Sequence, residues 1–297
     1  MVSKETNLPL ELCLLAALAF LWGSSYILTK IAVGSIPPIT LIAVRVSLAA
    51  GFLFLVLIWK GERLPKGAPI WGKLFIQAIF NSIGAWTVLA WGQQYVDSGL
   101  SSVLNSTSPI FVFFITLFFT RHEPTSVLKL MGACLGVLGV TLIIGVDALN
   151  GLGRQVFAQL AILFGAVLYA CAAIYGKNFS HLSPIATALG AMICASLCLI
   201  PLSLALDRPW TLQPSNDAIV ATLALALFGT AIAFLIYFRL VNTLGSLGVA
   251  SQSYLRAGIG VAMGVMLLGE EITMVVGVGL TTAILGVAAI NTPRRIR

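Results

Sequence analysis

Residues 30–40 (KIAVGSIPPIT) and residues 177–187 (KNFSHLSPIAT) carry Lys, Pro and Thr at matching places: Lys30 with Lys177, Pro37 with Pro184, Thr40 with Thr187. Each pair is 147 residues apart. The same offset joins Leu100 to Leu247, Ser106 to Ser253, Glu123 to Glu270, Gly132 to Gly279, Leu138 to Leu285 and Gly139 to Gly286. Chance supplies some identities in so apolar a chain. An ungapped offset that joins charged, Pro and Gly positions is better read as a duplication. The chain then divides into a first repeat, residues 1–150, and a second, residues 151–297.

Composition sets the medium. Of 297 residues 59% are apolar and only 9% charged, against about 45–50% and about 25% in soluble domains. So few charges cannot cover a water-soluble surface of this size, which excludes a soluble enzyme, a nucleic-acid binder and a disordered protein. Continuous apolar runs of spanning length predict ten helices near 10–33, 38–59, 71–94, 99–120, 125–146, 155–177, 184–206, 217–240, 246–268 and 272–291. Membrane strands would instead alternate polarity over about ten residues. Ala17-Leu18-Ala19 imitates a signal-peptidase site, but Glu11 interrupts the run and apolar residues continue to Val33, so an uncleaved first helix is expected.

With the N-terminus inside, inner joints and termini hold twelve Lys and Arg, while outer joints hold Lys30, Arg154 and Arg208. Positive charge stays on the cytoplasmic side, so both termini are expected there, in a multi-pass protein of the cell inner (plasma) membrane. Five helices per repeat is an odd number, so the copies face opposite ways. The expected fold is an all-α polytopic membrane protein, ten transmembrane helices as two inverted-topology repeats of five. Such repeats suit alternating access around a midplane site.

Several stretches together resemble the EamA family of the drug/metabolite transporter superfamily. They are Trp22-Gly23-Ser24-Ser25 followed by Lys30, Arg45 early in the second span, Ser108-Pro109, Leu268-Gly269-Glu270, and the glycines Gly132, Gly136 and Gly139. The chain departs from the pattern with Arg121-His122-Glu123 in the first copy and with Arg256 at the position equivalent to Pro109. The resemblance implies an exporter of small metabolites whose cavity is framed by helices 3, 4, 8 and 9. Within the family the sequence is most similar to bacterial aromatic amino-acid exporters, which implies amino-acid export.

Polar groups in the bilayer core are costly, which makes them site candidates. Asn105 and Ser106 in the fourth span become Gln252 and Ser253 at the constant offset. Amides and hydroxyls donate and accept, which suits a zwitterion; interhelical bonding is the plain alternative. Arg256 lies ten residues into the ninth span, roughly 15 Å deep, and its fork matches a carboxylate. It reads as the deepest charge, whereas Arg45 reads as snorkelling to headgroups. Trp22, Trp86, Tyr169, Tyr237 and Tyr254 are candidate cavity rings, an interfacial belt being the alternative. Gly84, Gly92, Gly229, Gly258 and Gly260 are candidate hinges. Gly132xxxGly136 and Gly279xxxAla283 allow close helix approach, as scaffold or dimer contact.

No cofactor or metal set is expected. The cysteines lie in apolar runs without a completing ligand, and there is no phosphate-binding loop for ATP. No Asp or Glu stands at mid-depth, so facilitated diffusion is favoured over a proton relay, with Glu123 as a rim candidate for coupling. Expected partners are a small-molecule substrate and the bilayer, with no nucleic acid, the chain being a monomer or homodimer. The competing readings are a drug or organic-solute efflux carrier and a structural membrane protein without transport. An organic-anion carrier would want a second embedded cation beside Arg256.

Overall fold

In the computed structural model the described residues are 8–120, 127–149, 153–237, 239, 240, 243 and 252–291, with the side chains of 8, 119, 120, 127, 129, 143–149, 253, 254, 287, 288, 290 and 291 also outside the description. Every strand-free stretch between joints is helical. The rods are α1 (Leu8–Ala32), α2 (Pro38–Trp59), α3 (Ala68–Gly92), α4 (Ser98–Phe118) and α5 (Val127–Leu149). There follow α6 (Arg154–Tyr175), α7 (Pro184–Leu206), α8 (Asn216–Tyr237), α9 (Gln252–Leu268) and α10 (Met274–Asn291). A backbone in lipid must satisfy its own polar groups, and continuous helix does so.

Seven of these helices are long and apolar enough to cross a membrane; α5, α9 and α10 hold the shorter apolar stretches Leu130–Leu142, Leu255–Leu268 and Met274–Gly286. Expected and observed bounds coincide for α2 and α7. Residues 246–251 of the expected ninth helix, Leu247 among them, lie outside the described residues, as does the joint Arg121-His122-Glu123. The expected fourth helix is broken. It runs Ser98–Ser106, turns at Thr107, and resumes as Ser108–Ile115. Pro109 explains the break, since it has no N–H to offer the carbonyl four residues back.

The helices pack in pairs that exchange when the repeats are exchanged. α5 lies on α10, α2 on α7 and α4 on α9. α1 packs against α8 and α9, and its counterpart α6 packs against α3 and α4. The α5–α10 seam shows the relation at atomic scale. A Cβ on Gly139 would stand 2.5 Å from Ala283 N, and one on Gly286 would stand 2.6 Å from Gly132 O. Gly132, Gly136 and Gly139 therefore mesh with Gly279, Ala283 and Gly286, and the small-residue pattern serves as scaffold within the chain.

Distortions repeat as well. α3 contains a π-helical segment over Ile79–Ala85, and α8 contains one over Leu227–Ile232, which is the corresponding place in the second copy. Such segments leave helix carbonyls unpaired and recur at functional sites.

Helix ends meet across the repeats. At α2, Thr40 donates to Asp207 Oδ2 from its N–H (3.0 Å) and its hydroxyl (2.7 Å). At α7, the Ser183 hydroxyl donates to Glu62 and accepts from Ala186 N–H. Ser215 N–H donates to Ser35 Oγ at 3.1 Å.

The seam makes a direct prediction. Gly286→Val should lower stability by about 1–3 kcal/mol through overpacking, read as a lower thermal midpoint in detergent. Gly51, which has nothing within 4 Å of a built Cβ, should accept Ala without loss.

Candidate functional site

A buried polar cluster begins where α4 breaks. Its first segment buries Ser101, Ser102, Asn105 and Ser106, and the turn at Thr107 leaves these groups opposite α1 and α9. Close approach is made by small residues. A Cβ on Gly23 of α1 would clash with Ile259 of α9, and one on Gly260 of α9 would clash with Ser102 of α4. Ser102 donates to the carbonyls of Gly99 (2.7 Å) and Ala257 (3.3 Å).

Asn105 is 1% exposed and donates from Nδ2 to the Tyr26 hydroxyl at 2.7 Å, while its Oδ1 has no partner among the described residues. Ser106 donates to Ser102 O, and Arg256 of α9 approaches Ser106 Oγ at 3.5 Å. Arg256 Nε is buried without a partner among the described residues. The amide, the hydroxyl and the arginine anticipated from sequence therefore converge.

Arg45 corrects the sequence reading. It does not reach for headgroups: it is 6% exposed, its Nε donates to Thr230 Oγ1 of α8 at 2.8 Å, and its guanidinium lies 4.1 Å above the Trp86 ring. Thr230 passes the bond on to Leu225 O (2.9 Å) inside the π segment of α8. Depth along a helix misled because the face of α2 that carries Arg45 packs against α3, α7 and α8, while the other face, with Val44 and Leu48, is exposed. Arg256 is thus not the single deep cation; Arg45 is the more buried of the two.

Tyr169 of α6 feels the charge of both. Its ring packs against the core cluster that holds Trp86, and its hydroxyl lies within electrostatic reach of Tyr26, Arg45 and Arg256. Trp22 is half-buried and packs at 5.4 Å from Tyr237 and 6.2 Å from Phe234, a second ring group between α1 and α8. Gln252 is buried at the first turn of α9, one turn before Arg256. The side chains of Ser253 and Tyr254 lie outside the described residues. Tyr26, Arg45 and Thr230 were missed from sequence. Tyr26 had a usable signal, four residues after Trp22 on one face; Thr230 had none.

Among the hinge candidates, Gly84 and Gly229 fall inside the π segments of α3 and α8. Gly92 packs against Ile162, and Gly258 faces open space. Trp91 and Tyr95 form a ring pair at the end of α3, with the Arg154 guanidinium 5.3 Å from Tyr95, which suits the belt reading.

One rim of the bundle is closed by Glu270. Its carboxylate accepts from the N–H groups of Ser98 (2.7 Å) and Gly99 (2.8 Å), covering the N-terminus of α4. The chain turns there through Gly269 at φ +65°, a conformation glycine adopts freely. Lys30 Nζ donates to the carbonyls of Gln93 (2.9 Å) and Val96 (2.8 Å) past the end of α3. Asp97, Leu100, Gln155, Glu270 and Thr273 line an open recess at the Glu270 rim. At another corner Glu11 of α1 takes Arg239 NH2 at 2.9 Å and the Thr243 hydroxyl at 2.9 Å.

Comparison with known proteins shows the family. The model of the EamA-like transporter family matches twice, over residues 9–145 and 156–292. An uncharacterized inner membrane transporter of Escherichia coli K12, YedA, is 29% identical over 282 residues, covering 93% of this chain and 89% of its own. The uncharacterized transporter YoaV of Bacillus subtilis is 26% identical, covering 87% and 88%. A crystal structure of a protein superposes with a TM-score of 0.65 at 15% identity over 95% of this chain and 97% of that one, which speaks to the fold.

The rim contact predicts that Glu270→Ala lowers stability by about 1–2 kcal/mol, the cost of uncapping a helix start. Glu270→Gln, which keeps an acceptor, should cost less. Thermal unfolding in detergent reads the order, and equal losses would count against the capping role.

Proposed function

The chain belongs to the EamA-like transporter family, and on that premise we propose a secondary carrier that exports amino acids, aromatic or large neutral, and related small metabolites by alternating access. Ten spans form two inverted repeats, about residues 1–150 and 151–297, with both termini cytoplasmic. The exchange of helix contacts between repeats supports this arrangement. So does the meeting of joints, since 33–37 touches 207–215 and 60–67 touches 176–183, as alternating spans require.

One observation carries the reading. Polar and aromatic side chains from α1, α2, α3, α4, α6, α8 and α9, drawn from both repeats, converge around Tyr169 and Arg256. Inverted-repeat carriers bind at such a junction, with broken helices lining it. Arg256 and Ser106 receive a carboxylate, and Trp86, Tyr169 and Trp22 with Tyr237 receive the apolar or ring portion. Ring pairs contribute about 0.5–1.5 kcal/mol beyond burial. Flexing at the π segments of α3 and α8, around Gly84 and Gly229, opens and closes the two sides.

An organic-solute efflux carrier is compatible with the same family, and cationic drugs are the poorer fit. The seven acids with described surroundings, Glu11, Glu62, Asp97, Asp207, Asp217, Glu270 and Glu271, all stand at or near helix ends. Their placement also favours facilitated diffusion over a buried proton relay.

Purified protein in proteoliposomes should exchange labelled phenylalanine or leucine in counterflow, and a pH gradient should leave the rate unchanged. Strong acceleration by the gradient would reject uniport, and inert vesicles across a metabolite panel would reject the carrier. Arg256→Lys should weaken carboxylates more than their amides; equal loss for both would reject the carboxylate seat.

A further inference from the structure

We infer that the chamber is a two-arginine anion seat that favours net-anionic organic acids over zwitterions. The inference rests on the carrier reading and narrows it, ranking anions first among the carboxylates of that reading. Arg45 and Arg256 both act on Tyr169 from within the bundle. Among the described residues neither is paired with a carboxylate, and the ion pair there is the distant Arg239–Glu11.

Their donors are largely unspent. A guanidinium carries five N–H donors. Arg45 uses Nε toward Thr230, and Arg256 makes one long contact to Ser106 while its buried Nε has no partner among the described residues. Buried cations ordinarily find an acid or neutralise, and arginine does not lose its proton in proteins. The carried molecule is left to supply the negative charge. Phenylalanine, net neutral, leaves both charges uncompensated. Phenylpyruvate compensates one, and a phenyl-bearing dicarboxylate both.

The surroundings fit an aryl or alkyl body on that anion. Trp86 lies under Arg45 and beside Tyr169, offering ring faces next to the charge. Asn105 Oδ1, buried and unpartnered among the described residues, can accept a hydroxyl or amide hydrogen of the ligand.

The test uses the full-length protein and four probes that share one ring: phenylsuccinate, phenylpyruvate, phenylalanine and phenethylamine. Binding is read in detergent by quenching of tryptophan fluorescence, and transport by counterflow in proteoliposomes. Affinity should fall in that order, by about tenfold or more from phenylpyruvate to phenylalanine, the scale of one hydrogen-bonded charge. Arg256→Gln should cut phenylpyruvate affinity at least about tenfold and compress the difference from phenylalanine. Arg45→Lys should retain more of it than Arg45→Met. Anion binding in this order without counterflow upholds the seat and rejects the carrier. Phenylalanine bound or moved as well as phenylpyruvate, or no probe bound, overturns the seat, and counterflow of phenylalanine leaves the carrier standing.

Discussion

A carboxylate from one repeat resting on the open start of a helix in the other is the contact on which the architecture depends. Each helix start presents N–H groups without an intrahelical partner and a partial positive charge. Glu270 answers both needs at α4, and Asp207 does so at α2 through Thr40. Glu62 acts on α7 through its cap residue Ser183. Acids are scarce in this chain, ten of 297 residues, and these three are spent on joining the copies. The bundle is thereby locked at its ends, where water reaches, and left free of acids in its middle.

That division explains the interior. With ends held by charge and the α5–α10 seam held by glycine contact, α3 and α8 can afford distorted middles. Their π segments occupy equivalent places, and Thr230 in one of them accepts the Arg45 bond while its hydroxyl satisfies Leu225 O. The irregular backbone is tolerated where protein surrounds it, and Ser82 and Ala85 in one segment and Gly229, Thr230 and Ala231 in the other are buried. The break in α4 at Thr107 follows the same rule, with Asn105 and Ser106 turned toward Tyr26 and Arg256.

Much of this could be read from residue order. Apolar runs located the rods to within a few residues because burial in lipid demands unbroken helix, and the bounds of α2 and α7 coincide with expectation. The offset of 147 anticipated the Gly132 and Gly279 seam. Arg256, Ser106, Trp86 and Tyr169 could each be named as candidates, since polar groups and rings stand out within apolar spans, whereas the approach of Arg256 to Ser106 appears only in the packing. Arg45 was misread for a physical reason. Distance from the end of a helix measures depth in a slab, whereas exposure to lipid depends on which neighbours enclose the helix. Only the packing of α2 among α3, α7 and α8 decides that. Thr230 is invisible for the same cause, one threonine among many until an arginine meets it.

The two embedded arginines then set a condition on any conformational cycle. An isolated arginine at bilayer depth costs a few kcal/mol or more, and removing one partner of a buried charge leaves that cost uncompensated. Here the cost is lessened by the Thr230 bond, the Trp86 face and the Ser106 contact. Such neutral partners stabilise a cation without cancelling its field. A ligand shifts a conformational equilibrium only by the difference in its affinity for the two states. In the proposed alternating-access cycle, closure around an unpaired pair of guanidiniums would leave both charges uncompensated, whereas closure around an anion would not. On the proposed anion seat, the charge that selects the solute would also favour moving the loaded chamber over the empty one, and the rate of exchange would then depend on substrate on the far side.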